Sequence, residues 1–147
     1  MRATIILLAA LLASPFCEKK CSPLMIVDAT RLEWVSGAPG GRSGVKYAIK
    51  LKIKSSDALH FTNVWMGEEN VPFSLEFFST GLDKQMQKGD SVLLVYDHIN
   101  NESSPDFTSK QLPIEYKGEA LVECMVNGKT RYYTVKEFRK LSPLRGE

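Results

Sequence analysis

The sequence carries almost no excess of charge: 19 basic residues stand against 17 acidic ones, for a net charge of +2. That balance spreads no field strong enough to gather nucleic acid, and no basic cluster is interleaved with aromatics that would stack on bases. Nucleic acid is therefore excluded as a partner. Cysteine is scarce as well. The three present, Cys17, Cys21 and Cys124, include no Cys-x-x-Cys pair, which leaves a redox motif or a zinc site without its ligands. Long apolar runs are also missing: the most apolar one, at 5–13, falls well short of the about 20 residues that cross a bilayer. No repeat, low-complexity tract or linker divides the 147 residues, which fit one domain. Hydrophobic residues at 44% and charged ones at 24% are those of an ordinary globular protein, not of a disordered chain or coiled coil.

What is present begins with a leader. In MRATIILLAALLASPFC, Arg2 is a minimal positive n-region and 5–13 an apolar h-region, the build of a secretory signal peptide. A buried helix would show a polar face, which this run lacks. Residues 1–16 are read as the signal peptide, 17–24 as a tether, and 25–147 as a single domain; loss of Arg2 with the leader leaves 18 basic and 17 acidic residues in 17–147. A soluble product needs small residues three and one positions before the cut. Neither Leu11 with Ala13 nor Leu12 with Ser14 fits that rule. Cys17, four residues past the h-region, instead resembles the acylated cysteine of bacterial lipoproteins, although Phe16 stands where that family has Gly, Ala or Ser. The resemblance implies a lipid on Cys17 and attachment to a membrane. With Cys17 acylated, Cys21 and Cys124 remain as an even pair for a disulfide in an oxidising compartment. Otherwise Cys17 pairs with Cys21 and Cys124 stays a small buried hydrophobe, or no bridge forms.

Strand signals follow at regular intervals. MIVDATRLEWV (25–35) mixes apolar and polar residues. VKYAIKLKIK (45–54) alternates: Val45, Tyr47, Ile49, Leu51 and Ile53 share one face, and Lys46, Lys50, Lys52 and Lys54 the other. LHFTNVWM (59–66) sets Leu59, Phe61 and Trp65 on one side, which makes Trp65 a candidate centre of the core. PFSLEFF (72–78) does likewise with Phe73, Leu75 and Phe77. SVLLVYDH (91–98) has the continuous apolar centre of a strand buried on both faces. EALVECMV and KTRYYTV flank Asn127 and Gly128, a pair that accepts the positive φ angles of a type I′ hairpin turn. Beyond it, Thr134 and Glu137 have capping-box spacing, and Val135, Phe138 and Leu141 recur at helical period before Pro143, which predicts a short C-terminal helix.

About seven strands with turn-rich connections and almost no helix predict an all-β fold. The expected form is an immunoglobulin-like antiparallel β-sandwich, with a closed barrel as the alternative. The order of leader, cysteine, first strand, EWVSGAPGG loop and amphipathic strand, closed by PIEYKGEAL and its Asn-Gly hairpin, resembles the small envelope lipoproteins of Gram-negative bacteria that carry immunoglobulin-like domains. That resemblance implies a fold and an address, not an activity, because such sandwiches host many functions.

The residues that might carry chemistry divide into one loop and several scattered groups. GAPGGRSG (37–44) gathers Gly37, Gly40, Gly41 and Gly44 around Arg42 between the first two strands. Backbone N–H groups and a guanidinium there suit an anion or a partner. Phosphate loops open onto a helix, however, and this one opens onto a strand, so neither a P-loop nor a dinucleotide fingerprint is present. It is the first candidate for a partner-binding loop; a long flexible connection is the plainer reading. The lysine stripe either solvates an outward face and discourages edge pairing, or meets acidic headgroups or a polyanionic glycan. Asp97, Asn100, Asn101, Glu102 and Asp106 supply oxygens of the kind Ca²⁺ takes, without the spacing or turn glycine of an EF-hand. Asn101 and Ser103 have the spacing of a glycosylation acceptor. His60 and His98, with Met66 and Met125, would hold copper only if they converged. No serine sits in a Gly-x-Ser-x-Gly elbow, nothing ties a histidine to a serine or to Cys124, and Glu68 and Glu69 are adjacent, so on a strand they point to opposite faces.

No catalytic residue, cofactor or metal site is expected. The leading expectation is a non-catalytic binding or structural module of the cell envelope, in the periplasm or outer membrane. It would be attached through a lipid on Cys17 and partnered by an envelope protein or a glycan. A soluble periplasmic or secreted enzyme or inhibitor is the alternative, and a metal-binding module the third reading.

Overall fold

The structure, a computed structural model, describes residues 22–78, 86–100 and 111–145. Every regular element among them is a strand. They are β1 (Leu24–Val35), β2 (Ser43–Ile53), β3 (Leu59–Met66), β4 (Glu69–Val71), β5 (Ser74–Phe77), β6 (Ser91–Ile99), β7 (Ala120–Val126), β8 (Lys129–Val135), β9 (Arg139–Lys140) and β10 (Leu144–Arg145). The larger sheet has the order β10-β1-β2-β6-β5, with β9 also on β1; the smaller has the order β4-β3-β7-β8. Both contribute to one core, in which Leu24, Ile49, Leu51, Val92 and Leu94 of the larger sheet meet Phe61, Val64, Val122, Cys124 and Val135 of the smaller. The fold is thus all-β and sandwich-like.

The alternation of β2 works as its sequence suggests. Ile49, Leu51 and Ile53 are almost wholly buried, while Lys46, Lys50 and Lys52 lie on the opposite face. At about 25 cal/mol per Å² of apolar surface removed from water, such a stripe is what holds the two sheets together. Val95 on β6 is buried at 6% on the side away from Leu94, so this central strand is covered on both faces at that point. The last hairpin turns at Asn127 (φ 48°) and Gly128 (φ 75°), both left-handed as a type I′ turn requires.

Two local readings are corrected. The capping-box segment is not a helix: Val135 ends β8, buried at 2%, and the chain then runs extended into β9 and β10, which pair parallel with Thr30–Arg31 and Trp34–Val35 of β1. Burying Val135 inside the core outweighs the local signal, and the Phe138 N–H is taken up by the Glu119 carboxylate instead of by a helical turn. Nor is Trp65 the centre of the core. A bulge between Phe61 and Asn63 shifts the phase of β3, so Phe61 and Val64 face the other sheet while Trp65, opposite Leu121, faces away from it. Its indole is buried there at 2%, with Nε1 lacking a hydrogen-bond partner. At the start of β1, the Pro23 carbonyl accepts the Lys54 N–H at 2.8 Å, and Leu24 is 2% exposed.

Candidate functional site

The glycine loop joins β1 to β2 and closes on itself. The Ser36 N–H donates to the Arg42 carbonyl at 2.8 Å and the Gly41 N–H to the Ala38 carbonyl at 2.8 Å. Two of the N–H groups that an anion would need are thereby used inside the loop. Gly40, at φ 71°, makes the left-handed step that the turn requires. Gly44 has a different task. It lies in β2 with the His98 carbonyl and the Trp34 ring close above it, at 2.4 and 2.9 Å from where a Cβ would stand. The indole Nε1 of Trp34 then donates to Asp97 Oδ1 at 3.2 Å, tying β1 to β6 across the glycine. Gly37, Gly40, Gly41 and Arg42 therefore form an exposed tip, and Gly44 seats the tip on the sheet.

Below the tip, the larger sheet outruns the smaller. Past the core row of Ala29, Ile49 and Leu94, the next inward row is Arg31, Tyr47 and Tyr96, and the one after it Glu33, Val45 and His98. Tyr47 and Tyr96 lie ring to ring with centroids 6.0 Å apart, and Phe138 meets Tyr47 edge-on at 5.1 Å. The Arg31 guanidinium stands 5.9 Å from the centre of the Tyr47 ring and pairs with Glu33 at 3.3 Å, while Lys140 reaches the same carboxylate at 3.1 Å. The Tyr96 phenol and His98 Nδ1 are 3.3 Å apart. Burial, helped by Glu69, raises the Tyr96 phenol above its ordinary pKa. The result is a half-buried shelf of aromatic rings edged by charge, able to stack on a flat ligand or a peptide and to hydrogen-bond at its rim. Its members come from β1, β2, β6 and the segment before β9. In the sequence Tyr47 stands out as part of the inward stripe of β2, His98 as a candidate ligand and Phe138 as part of a helical period, and nothing there joins them.

The remaining candidates do not assemble. His60 lies opposite Met125 on the smaller sheet, His98 is on the larger sheet beside Tyr96, and Met66 packs against the core. Among the described residues no group of three or more His, Cys, Asp or Glu side chains could hold a metal. Asp97 is engaged by Trp34, and the Asn100 side chain donates to Ser43 Oγ at 3.0 Å; Asn101, Glu102, Ser103 and Asp106 lie outside the described residues. Lys46 stands opposite Asp97 and Lys50 opposite Asp28, so half of the lysine stripe answers acidic neighbours. Cys17 and Cys21 also lie outside the described residues. Cys124 carries a free thiol at 0% exposure, which burial pushes up to about 11.

No protein-family model matches this chain, and no curated protein or solved structure is significantly similar to it. Its function has to be argued from its own surfaces. Two clefts lie among the described residues. One, of about 520 Å³, opens beside the start of β1 between Ser22, Pro23 and Asp57 and the β8 residues Lys129, Arg131 and Tyr133. The other, of about 550 Å³, lies between Gly67–Glu68 and the 112–118 segment, which is pinned where the Tyr116 hydroxyl donates to the Gly67 carbonyl at 2.9 Å.

Proposed function

We propose that the chain is a non-catalytic binding module of the cell envelope: exported by its leader, held to the membrane by a lipid on Cys17, and built as an immunoglobulin-like sandwich. The fold type is supported by strand order. Reading β1, β2, β3, β4, β5, β6, β7 and β8 as A, B, C, C′, D, E, F and G turns the two sheets into A-B-E-D and C′-C-F-G. Two antibody hallmarks are absent. Cys124 lies on strand F, but strand B has no cysteine to bridge to it, and Trp65 on strand C faces away from the core.

The observation that carries the functional reading is the separation of two ends. The chain enters β1 at Leu24, and twelve residues of β1 then take it, at about 3.3 Å each, roughly 40 Å to the glycine tip. A domain tethered just before Leu24 thus holds the tip, with the aromatic shelf behind it, far from its anchor. That is the geometry of a module presenting a surface to a partner.

The test is the intact mass of the protein from the membrane and soluble fractions of its host, together with a photo-crosslinking side chain placed at Ala38. A membrane-bound product beginning at Cys17 with added acyl mass, and an adduct between Ala38 and one envelope protein or glycan, are expected. A soluble product with an unmodified N-terminus overturns the anchor, and absence of any adduct overturns the tip as the contact.

A further inference from the structure

Five exposed cations gather at the end where the chain enters the sandwich. Lys54 is bonded through its N–H to the Pro23 carbonyl, and Lys52 lies opposite Met25 and Ser91. Lys88 sits in the turn whose Gly89 N–H donates to the Ile53 carbonyl at 2.9 Å. Lys129 opens β8 next to Asn127, whose side chain holds Asp57 at 2.7 Å, and Arg131 shares the 520 Å³ cleft with Ser22 and Pro23. None of the five has an ion-pair partner among the described residues. Among the described residues, the acidic groups at this end are Asp57, which accepts from Ser55 and Asn127, Asp90, which accepts from the Gln87 N–H, and Glu76, which lies across Leu93 from Lys50. Among the described residues, five cations against three carboxylates leave a positive excess. Farther up the sandwich three cations are paired: Arg31 and Lys140 with Glu33, and Arg139 with Asp28.

Two exposed apolar side chains lie on the lysine face of β2. Met25, 41% exposed, is opposite Lys52, and Phe78, 62% exposed and just after β5, has its ring centre 5.0 Å from the Nζ of Lys50, the next lysine along that face. Singly exposed apolar residues are ordinary on a protein surface. An exposed ring on a lysine-bearing face whose side chains have long apolar stems is the composition of a surface that sits at the level of lipid headgroups.

We infer that this end of the domain docks on an anionic phospholipid bilayer, with Lys52, Lys54, Lys88, Lys129 and Arg131 over the headgroups and Phe78 and Met25 at their level. The inference rests on the envelope reading for its address but not on the lipid at Cys17, since every group in the face lies between Met25 and Arg131. Docking would fix the orientation of the tethered domain and direct the glycine tip away from the membrane.

The test uses the mature chain, residues 17–147, made without its leader and so without a lipid. It is mixed with vesicles of phosphatidylcholine alone or with phosphatidylglycerol added, and the bound fraction is read by flotation. Binding is expected to the anionic vesicles and not to the neutral ones, falling as salt shortens the reach of the charges. Lys54→Gln, Lys129→Gln and Arg131→Gln should each weaken it about fivefold, the worth of one cation near an anionic leaflet. Phe78→Ala should weaken it at every salt concentration, and Lys136→Gln, past the far end of β8, should leave it unchanged. Circular dichroism on each variant separates lost binding from lost fold, and the salt dependence of the unsubstituted chain needs no variant. Equal binding to both vesicle types, no binding at low salt, displacement by inorganic phosphate at matched ionic strength, or indifference to the triple Gln variant would overturn the inference. The two readings come apart cleanly. An unmodified Cys17 with charge-dependent vesicle binding removes the anchor and supports the docking face; an acylated Cys17 without such binding does the reverse.

Discussion

At Cys124 the surroundings of the sulfur decide its chemistry. Core residues enclose it, and the cost of desolvating a thiolate raises its pKa from 9.0 to about 11, although a backbone hydrogen bond from His60 pulls the other way. At neutral pH the group is a packed thiol, not a nucleophile. The folded state keeps this proton to higher pH than the unfolded state does. Its contribution to stability is therefore whole below pH 9 and lost as pH rises towards about 11, a matter of about 2–3 kcal/mol. Tyr96, Tyr116 and Tyr133, also raised chiefly by burial, act in the same direction. Urea unfolding followed across that range should show a falling midpoint, with a flatter fall in Cys124→Ala from a lower start. Gly44 poses a steric question instead. An added Cβ would lie 2.4 Å from the His98 carbonyl, which is backbone and cannot swing aside, so Gly44→Ala should cost about 1–3 kcal/mol and disturb the fluorescence of Trp34. If its urea midpoint matches that of the unsubstituted protein, the close approach at Gly44 is not rigid.

At the level of elements, bulges explain why some strands read clearly and others did not. β2 has no bulge, and its alternation is visible residue by residue. In β1 the register slips between Ile26 and Asp28, leaving Val27 48% exposed; Leu24 and Ile26 face inward before the slip, and Ala29 and Arg31 after it. A strand whose phase changes midway looks merely mixed, as 25–35 did, and the bulge in β3 turned Trp65 outward for the same reason. The C-terminal segment is a contest between local and distant contacts. Its capping-box pattern favours a helix, but Val135 has a place in the core and Phe138 one against Tyr47, and β9 and β10 cover the edge of β1. The ring should matter more than the charges here. Phe138→Ala is expected to lower stability by about 2–3 kcal/mol, because a half-buried ring is removed. Arg139→Ala, which breaks an exposed pair with Asp28, should cost under about 1 kcal/mol. Comparable losses in thermal or urea unfolding would mean that the ion pair, not the ring, docks the segment.

For the whole molecule, the two sheets differ in length, and that difference creates the features of interest. The larger sheet outruns the smaller and carries the aromatic shelf and glycine tip at one end. At the other end the turns after β2, before β6 and between β7 and β8 bring exposed lysines around the start of β1. The histidines are separated by the same architecture, one on each sheet. Copper or zinc added to residues 17–147 is therefore expected to leave Tm unchanged, since an ion bound only by the native state would raise it. A rise that vanishes in His60→Ala would show that the His60–Met125 pair recruits a further ligand.

Periodicity within β2 and β6, the Asn127–Gly128 turn and the glycine run at 37–44 could be read directly from the chain, because each depends on neighbours two to four residues away. An all-β fold of two layers follows from them. The identity of the core centre, the fate of the 134–141 segment and the grouping of Arg31, Tyr47, Tyr96 and Phe138 could not. Each depends on where a bulge shifts the pleat or on which distant strand offers a better partner, and those are energies of contact between residues far apart in sequence. The same holds for charge. The overall balance of cations and anions is visible in composition, whereas the pairing of Arg31 and Lys140 with Glu33 and of Arg139 with Asp28, away from the lysines at the entering end, is made only when the strands are laid side by side.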